Sequence, residues 1–256
     1  MPADRRAPHV LLLGGTAEAR ALAAVLVDRE VSVVSSLAGR VARPRQPLGE
    51  VRIGGFGGVA GLVSTLRDND FTHLVDATHP FAITMRRHAV EAAHEVALPV
   101  VRLARPGWRD LPDAAAWTWV QGYDEARRQA ERLGSRPFIT SGRQTLGHYL
   151  SWDDRPVLVR VVEPLEEPVP ASWQVRLDRG PFSVDDEREL MRSAGIDVLI
   201  TKDSGGAYTS AKLQAASELG IPVVVVARPD PPEGLQELSD IDEVLAWLDA
   251  GASATA

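Results

Sequence analysis

The chain has 256 residues, enough for one large α/β domain or two smaller ones, and its 45% hydrophobic and 25% charged residues are typical of a globular protein. It contains no cysteine, which excludes disulfides, thiolate nucleophiles and sulfur-ligated metals. The six histidines show no HExxH or comparable spacing, so we expect no metal site. The net charge of −7 predicts that the surface as a whole repels nucleic acid.

No apolar run approaches the roughly 20 residues that a membrane span requires. The first ten residues, MPADRRAPHV, lack the apolar stretch of a secretory signal. We therefore expect a cytoplasmic protein with no membrane partner, and the oligomeric state stays open.

Up to Leu103, apolar strands alternate with amphipathic helices. Strands are predicted at Val10–Leu13, Val31–Ser35, Val51–Ile53, Leu74–Asp76 and Val100–Leu103, and helices at Ala17–Leu26, Val59–Arg67 and Ile83–Glu95. This alternation predicts an α/β fold with a parallel sheet covered on both faces. Such sheets bind ligands at the carboxyl ends of their strands.

The segment Ala104–Ala116 has no sustained period and is interpreted as a linker. The alternation then restarts, with strands predicted at Trp117–Val120, Phe138–Thr140, Val157–Val162, Trp173–Leu177, Val198–Thr201 and Val223–Ala227, and helices at Tyr123–Leu133, Asp185–Ala194, Ala211–Leu219 and Asp240–Leu248. The sequence thus predicts a first domain at residues 1–110 and a second at residues 111–256.

The first strand enters its helix through Gly14, Gly15 and Thr16. Such a turn brings free N–H groups and the positive end of the helix dipole toward an anion, and Thr16 could cap the helix. Glu18 in the first helical turn would repel a phosphate, so Arg20 is expected to compensate. A tight turn without a ligand is equally compatible with this motif.

The second strand lacks the acidic residue that dinucleotide folds place at the adenosine ribose. Ser35 and Ser36 stand there instead, followed by Gly39, Arg40 and Arg43. Hydroxyls and guanidinium groups suit a 2′-phosphate, so NADPH is the expected cofactor rather than NADH, unless these arginines merely lie on a solvated loop.

Two more strand ends in the first half carry candidate residues. The glycine-rich run at residues 54–58, with Gly55 and Phe56, allows close approach of a cofactor or forms a plain flexible connection. In LVDATHPFA, Asp76, Thr78 and His79 lie at the expected ligand-binding edge, with Thr78 a further cofactor candidate. His79 could donate a proton, hold a carboxylate or cap the helix that follows Pro80.

Loops of the second half combine hydroxyls, glycine and a cation, which is the chemistry of an anion site. They are FITSGRQTL and LITKDSGGAYTSAK, and Arg86 and Arg102 of the first half add positive charge. The candidate substrate-binding residues are therefore Arg86, Arg102, Ser141, Gly142, Arg143, Thr201, Lys202, Ser204, Gly205, Gly206 and Lys212. Neither Ser141 nor Ser204 lies in a GxSxG elbow, so a serine hydrolase is not expected.

Six segments together resemble the precorrin-6A reductase family of cobalamin biosynthesis: LLGGTAEAR, DATHPFA, LARPGW, TSGRQTL, TKDSGG followed by AK, and GIPVVVVARP. The resemblance extends from Val10 to Pro229. The family's usual Lys-Asn-Ser-Gly-Gly departs here to Asp203, and a carboxylate is a poor neighbour for an acidic substrate.

The resemblance implies two Rossmann-like lobes with parallel sheets and a cleft between them, in which NADPH reduces one double bond of the macrocycle precorrin-6A to give precorrin-6B. The substrate is a tetrapyrrole with many carboxylate arms, for which the expected cationic partners are Arg102, Arg105, Arg109, Arg143, Lys202 and Lys212. His79 and Lys202 are the candidate catalytic proton donors. The alternatives are a non-catalytic NADP(H) sensor and a short-chain dehydrogenase using Tyr208 and Lys212.

Overall fold

The computed structural model describes residues 7–39, 45–206 and 209–254, with side chains up to residue 250. Arg40, Arg43 and Tyr208 of the sequence analysis lie outside the described residues. The chain forms two compact units: the first contains the residues up to Arg105 and those from Asp230 onward, and the second is Pro106–Pro229.

The first unit is built on a six-stranded parallel sheet with strand order β12-β5-β4-β1-β2-β3. Its strands are β1 His9–Leu13, β2 Ser32–Leu37, β3 Glu50–Ile53, β4 His73–Asp76, β5 Val100–Leu103 and β12 Glu237–Leu238. Its helices are α1 Ala17–Asp28, α2 Val59–Asp68, α3 Ile83–Glu95 and α7 Ile241–Ala254.

Side chains of the central strand β1 alternate between two hydrophobic cores. Val10 and Leu12 pack on one face with apolar residues of α1 and α7. Leu11 and Leu13 pack on the other face with apolar residues of α2 and α3. A strand buried on both faces needs a continuous apolar run, which is the pattern of HVLLL.

The second unit has its own six-stranded parallel sheet, with order β6-β11-β10-β7-β8-β9. Its strands are β6 Thr118–Val120, β7 Pro137–Ile139, β8 Val157–Val161, β9 Trp173–Leu177, β10 Val198–Lys202 and β11 Val223–Val226. Its α-helices are α4 Tyr123–Leu133, α5 Val184–Ser193 and α6 Ala211–Glu218, and short 3₁₀ helices cover Ala114–Ala116 and Arg143–Tyr149.

Both sheets follow one topology, with the chain reversing its direction of strand addition at β1 and at β7. One edge strand of each sheet pairs with a strand that is distant in sequence. β12 pairs with β5 of the first sheet, although eleven strands precede it, whereas β6, which directly follows β5, pairs with β11 of the second sheet.

The domain boundary predicted at residue 110, with all later residues in one domain, therefore needs correction. The compact units divide at Arg105, and the segment from Asp230 returns to the first unit. It does so because Leu238 pairs with Leu103 and because Val244, Leu245 and Leu248 complete the core beneath α1.

The predicted strands and helices are otherwise found close to their expected positions, except that α7 extends to Ala254 instead of ending at Leu248. β2 extends to Leu37, beyond its expected end at Ser35, and β12 was missed. Within the described residues, no helix is both long enough and apolar enough to cross a bilayer.

Candidate active site

Each sheet has one position at which strand order reverses, and open parallel sheets bind ligands outside the carboxyl ends of their strands at this position. In the first unit it lies between β1 and β4, which are followed by the turn Gly14–Thr16 and by residues 77–82. A cavity opens here, lined by residues that follow β1, β4 and β5, namely Thr16, Glu18, Ala77, Thr78, Pro80, Arg102, Leu103, Ala104 and Arg105.

Thr16 connects the two loops at this edge. Its hydroxyl accepts a hydrogen bond from Ala19 N–H at 3.1 Å, which caps α1 as predicted, and donates to the carbonyl of Ala77 at 2.8 Å. Gly15 has φ +110°, and a Cβ there would meet no atom within 4 Å. The space beside the start of α1 is therefore open, which suits a phosphate group at the helix N-terminus.

Glu18 in the first turn of α1 is paired with Arg105, at 2.7 Å between Oε2 and Nη1. From the sequence, Arg20 was the expected partner of this carboxylate and Arg105 an expected ligand of the substrate. Arg20 is half-buried on α1, and the paired cation is Arg105. The negative charge of Glu18 is thus balanced beside the glycine turn.

The prediction that Ser35 and Ser36 lie at a strand end is wrong, because both lie inside β2. Ser35 is 1% exposed, and its Oγ has no hydrogen-bond partner among the described residues. Ser36 is also buried, and its carbonyl accepts from Gly14 N–H at 2.9 Å. The strand is followed by Gly39, which is exposed with φ +73°.

Arg52 is a candidate that the sequence analysis missed. It lies on β3 opposite Ser36. Its guanidinium donates to the carbonyls of Gly54 at 2.7 Å and Gly55 at 2.8 Å, and stacks 4.0 Å from the centre of the Phe56 ring. The sequence signal was an arginine two residues before a glycine run, near the end of the strand that neighbours β2.

Asp76 organises the loop after β4. This carboxylate is fully buried, and Oδ1 accepts from both N–H and Oγ1 of Thr78 at 2.9 and 2.6 Å. Oδ2 accepts from Arg86 Nε at 3.1 Å. Thr78 remains at the cavity, but its hydroxyl is held by Asp76.

Arg86, a predicted substrate ligand, is an internal structural residue. It is 1% exposed, and besides Asp76 it donates to the carbonyls of Pro80 and His79 at 3.0 and 3.3 Å. A guanidinium with its nitrogens engaged by buried acceptors holds the loop and is turned away from solvent. We therefore remove Arg86 from the ligand-binding set.

His79 lies in the loop held by Arg86. Helix α3 begins at Ile83 with Ala82 at its N-cap, so the interpretation of His79 as the helix cap is wrong, and Pro80 precedes the helix by three residues. The His79 Nδ1 accepts from Phe81 N–H at 3.2 Å. An accepting Nδ1 leaves the proton of the neutral ring on Nε2, which can act as a donor.

Arg102 lines the same cavity from β5. Its Nη1 is ion-paired with Glu237 of β12, and its buried Nε has no hydrogen-bond partner among the described residues. This guanidinium is therefore only partly engaged by the protein. It is the predicted anion ligand of the first unit that best fits the geometry.

In the second unit the strand order reverses between β7 and β10, and two predicted loops follow these strands. They are joined by a hydrogen bond from Thr140 N–H to the carbonyl of Ile200 at 2.9 Å. Gly142 has φ +96°, and the nearest atom to a Cβ there would be Lys202 Nζ at 3.8 Å. Burial lowers the pKa of Lys202 to about 8. A lysine with this pKa exchanges protons readily near neutral pH.

Several predicted ligands of the second unit face the interior. Ser141 is fully buried, and its hydroxyl shares a 2.7 Å hydrogen bond with that of Thr145. Thr201 is also buried within β10. The side chains of Ser141 and Thr201 therefore stabilise these loops from the interior of the unit. Arg143 is paired with Glu166 at 3.0 Å, and the guanidinium of Arg109 stacks 4.3 Å from the ring centre of Trp119.

Lys212, another predicted substrate ligand, is 4% exposed. Its Nζ donates to the carbonyl of Thr209 and lies 4.8 Å from the ring centre of Trp108. Burial, with the nearby Arg160 guanidinium, lowers the pKa of Lys212 to about 7, against the opposing effect of Glu187. This lysine belongs to the interior of the unit, and we remove it from the ligand-binding set.

Asp203 does not face a ligand. Its side chain is buried, accepts from Trp108 N–H at 3.1 Å and is paired with Arg228 at 3.3 Å. Lys202, Ser204 and Gly206 on either side are more exposed than Asp203. The departure from the family's usual asparagine thus leaves no carboxylate on the outer side of the loop.

No group of three or more histidines and acidic residues in the described part of the chain could hold a metal ion. The edge of the first sheet offers an open helix N-terminus, a partly engaged arginine and a histidine with a donor Nε2. The edge of the second sheet offers a lysine whose pKa suits proton transfer. An open helix start and cationic groups suit the binding of anionic molecules.

Comparison with known proteins agrees with this chemistry. Residues 9–249 match the family model described as precorrin-6x reductase CbiJ/CobK. A precorrin-6A reductase of Rhodococcus erythropolis is 45% identical over 94% of this chain and 97% of its own length, and one of Mycobacterium tuberculosis has the same values. A solved structure described as CobK precorrin-6A reductase is 36% identical, with a TM-score of 0.89, and the alignment covers 95% of this chain and 97% of that one. The chain therefore belongs to the precorrin-6x reductase CbiJ/CobK family, oxidoreductases of cobalamin biosynthesis.

Proposed function

We propose that this chain reduces precorrin-6A to precorrin-6B with NADPH as the electron donor. The observation that carries the proposal is the 45% identity, over 94% of the chain, with proteins named precorrin-6A reductase. The similarity spans both units, so it includes both strand-order reversals and their loops.

The proposed cofactor site is the carboxyl edge of the first sheet. The open space at Gly15, the capped start of α1 and the balanced charge of Glu18 support a pyrophosphate there. NADPH rather than NADH is favoured because β2 is followed by Ala38, Gly39 and Arg40 with no acidic residue. Arg52 and Arg40 are the proposed partners of the 2′-phosphate, with Gly55 and Phe56 beside Arg52.

NADPH would supply the hydride, and the chain's own residues would bind, orient and protonate the substrate. For the carboxylate arms of the tetrapyrrole we propose Arg102 in the first unit and Arg143, Lys202, Ser204 and Gly206 in the second. A guanidinium or ammonium group makes charge-assisted hydrogen bonds to such arms.

The carbon next to the hydride acceptor also needs a proton. We propose Lys202 as its donor, because a pKa of about 8 keeps the ammonium protonated near neutral pH while lowering the cost of losing the proton. His79 is the second candidate through its Nε2 proton. Substitution of Lys202 separates the two assignments.

The decisive experiment is anaerobic incubation of the purified chain with precorrin-6A and either NADPH or NADH. We expect loss of NADPH absorbance and a product heavier by two hydrogens, with much weaker binding and turnover of NADH. Arg40→Ala and Arg52→Ala should narrow the preference for NADPH. Arg29→Ala should not, because Arg29 lies at the opposite end of α1, where it pairs with Asp249.

The same experiment separates the alternatives. A non-catalytic sensor would bind NADPH without turnover of any corrinoid precursor. A short-chain dehydrogenase would lose its activity in Tyr208→Phe. The burial of Lys212 favours the reductase over the short-chain dehydrogenase, because the catalytic lysine of such a dehydrogenase must reach the cofactor.

A further inference from the structure

Three segments that are distant in sequence meet beside the loop that follows β10. They are Pro106–Trp108 after β5, Asp203–Gly206 after β10, and Arg228 after β11. All three lie within the second unit, and we call them together the clasp. Each belongs to one of the segments that carry the family resemblance: LARPGW, TKDSGG and GIPVVVVARP.

The carboxylate of Asp203 forms the centre of the clasp. Oδ1 accepts from Trp108 N–H at 3.1 Å, and the carboxylate also accepts from the backbone N–H of Gly205. Oδ2 lies 3.3 Å from Arg228 Nε. The Asp203 side chain, only 3% exposed, therefore joins its own loop to both neighbouring segments.

Backbone groups complete the arrangement. Arg228 donates from Nε to the carbonyl of Asp203 and from Nη2 to that of Pro106, both at 3.1 Å. Trp108 Nε1 donates to the carbonyl of Gly206 at 3.1 Å, and Gly206 N–H donates to that of Pro106 at 3.2 Å. The loop is thus fixed through both its side chain and its main chain.

The clasp also gives its glycines a different role from the one that the sequence suggested. Gly205 has φ +66°, and a Cβ there would overlap Arg228 Nη2 and the carbonyl oxygen of Pro106. A Cβ on Gly107 would lie 2.8 Å from Asp203 Oδ2. Both positions exclude a side chain because another part of the clasp occupies the space, and this requirement is independent of any ligand.

Side chains along the loop alternate between buried and partly exposed positions from Thr201 to Gly206. After β10 ends at Lys202 the chain turns, with a hydrogen bond from Ser204 N–H to the carbonyl of Lys202 at 2.6 Å. Asp203 is held on the inner side of this turn, whereas Lys202 and Ser204 are partly exposed. These two flank Asp203 and are among the proposed ligands of the tetrapyrrole.

We propose that Asp203 and Arg228 are positioning residues, which fix the backbone of Lys202–Gly206 so that Lys202 and Ser204 face the substrate. This inference rests on the proposed function for the identity of the ligand. The geometry of the clasp itself is independent of that identity.

The test compares four variants of the full chain. Asp203→Ala removes every contact of the Asp203 carboxylate, whereas Asp203→Asn keeps a side-chain oxygen that can accept from Trp108 N–H. Arg228→Gln removes the guanidinium and serves as the second probe if Asp203→Ala does not fold. The matched control is Asp197→Ala, because Asp197 precedes the other end of β10 and accepts from the N–H groups of Ser135 and Arg136 at 2.7 to 3.0 Å.

Amide hydrogen exchange measures the loop without a ligand. We expect exchange of the peptide covering residues 204–206 to accelerate about tenfold or more in Asp203→Ala and Arg228→Gln, and to stay near the wild-type rate in Asp203→Asn and Asp197→Ala. In Asp197→Ala the acceleration should fall on residues 135–136 instead. Wild-type exchange at residues 204–206 in both clasp variants would overturn the inference.

Kinetics then separate positioning from a general structural role. Asp203→Ala and Arg228→Gln should raise KM for precorrin-6A about tenfold while the Kd for NADPH changes less than about twofold, with Asp203→Asn restoring KM. An equal rise of KM in Asp197→Ala would overturn the inference. Absence of precorrin-6A turnover in the wild-type chain would instead refute the proposed function, and hydrogen exchange would still decide whether the clasp holds the loop.

Discussion

Glu18 and Arg105 form a 2.7 Å ion pair at the start of α1, between the turn after β1 and the segment after β5. Both side chains line the cavity at the carboxyl edge of the first sheet. The carboxylate is therefore an internal competitor: an anion bound at this helix start would share Arg105 with Glu18.

We predict that Glu18→Gln binds NADPH about two- to fivefold more tightly, because it removes a negative charge beside the helix start. Arg105→Gln should weaken binding by a similar factor. Fluorescence titration at low and high salt measures both, and the gain in Glu18→Gln should shrink as salt rises. Unchanged affinity in both variants would contradict a pyrophosphate at this position.

The lowered pKa of Lys202 leads to a prediction for the pH dependence of turnover. Its pKa of about 8 means that the ammonium is lost as pH rises through that value, so kcat should fall above pH 8 if Lys202 donates the proton. Lys202→Met should lower kcat about 100-fold or more and remove this alkaline decline. Steady-state rates from pH 6 to 10 provide the check. A Lys202→Met variant with the wild-type profile would transfer the role to His79 or solvent.

Substitutions of the adjacent residues Arg86 and Arg87 should change the free energy of unfolding by very different amounts. Arg86→Met leaves the buried Asp76 carboxylate unpaired and should lower the free energy of unfolding by about 3–5 kcal/mol. Arg87 is largely exposed with Glu91 as its partner, so Arg87→Met should change it by less than about 0.5 kcal/mol. Urea denaturation of both variants measures the difference. Equal, small effects would return Arg86 to the set of substrate ligands.

The lowered pKa of Lys212 leads to a prediction for how the free energy of unfolding varies with pH. Its folded-state pKa of about 7 is below the ordinary value of 10.5, so the folded chain binds fewer protons than the unfolded chain between these values. Stability should therefore rise with pH from about 7 upward, by at most about 1.4 kcal/mol per pH unit from this group. Lys212→Met should lack that contribution.

The measurement is urea denaturation of the wild type and Lys212→Met at pH 6, 7, 8 and 9. The difference between the two proteins isolates Lys212 from Lys202, the only other lysine of the chain, whose lowered pKa acts in the same direction. Parallel curves for the two proteins would show that Lys212 titrates alike in both states.

Strands and helices were predicted correctly where the local pattern of apolar residues reflects how the element is buried. β1 and β11 are continuous apolar runs buried on both faces, so the sequence shows where each strand ends and its loop begins. β12 was missed because its two residues, Glu237 and Leu238, carry no periodic signal. Its pairing with β5 is a long-range contact that local patterns cannot reveal.

The same distinction applies to the candidate site. Thr16 and its cap were predictable because a cap is local. Arg86 and Lys212 were misassigned because cations near strand ends resemble ligands, whereas burial decides their role. For Arg86 a signal existed: Asp76 ends a buried strand, and a buried carboxylate needs a cationic partner. For Asp203 the partner Arg228 is 25 residues later, with no spacing rule to connect them.

The pairing of β12 with β5 has a consequence for synthesis on the ribosome. The first sheet can form β1 to β5 as soon as those residues emerge, but β12 and α7 are translated after the whole second unit. Until then Val101 and Leu103 of β5, and the face of α1 around Leu22, lack the cover that α7 and β12 provide. The first unit therefore stays partly exposed while the second unit is synthesised, and its core is completed only after β12 and α7 have followed.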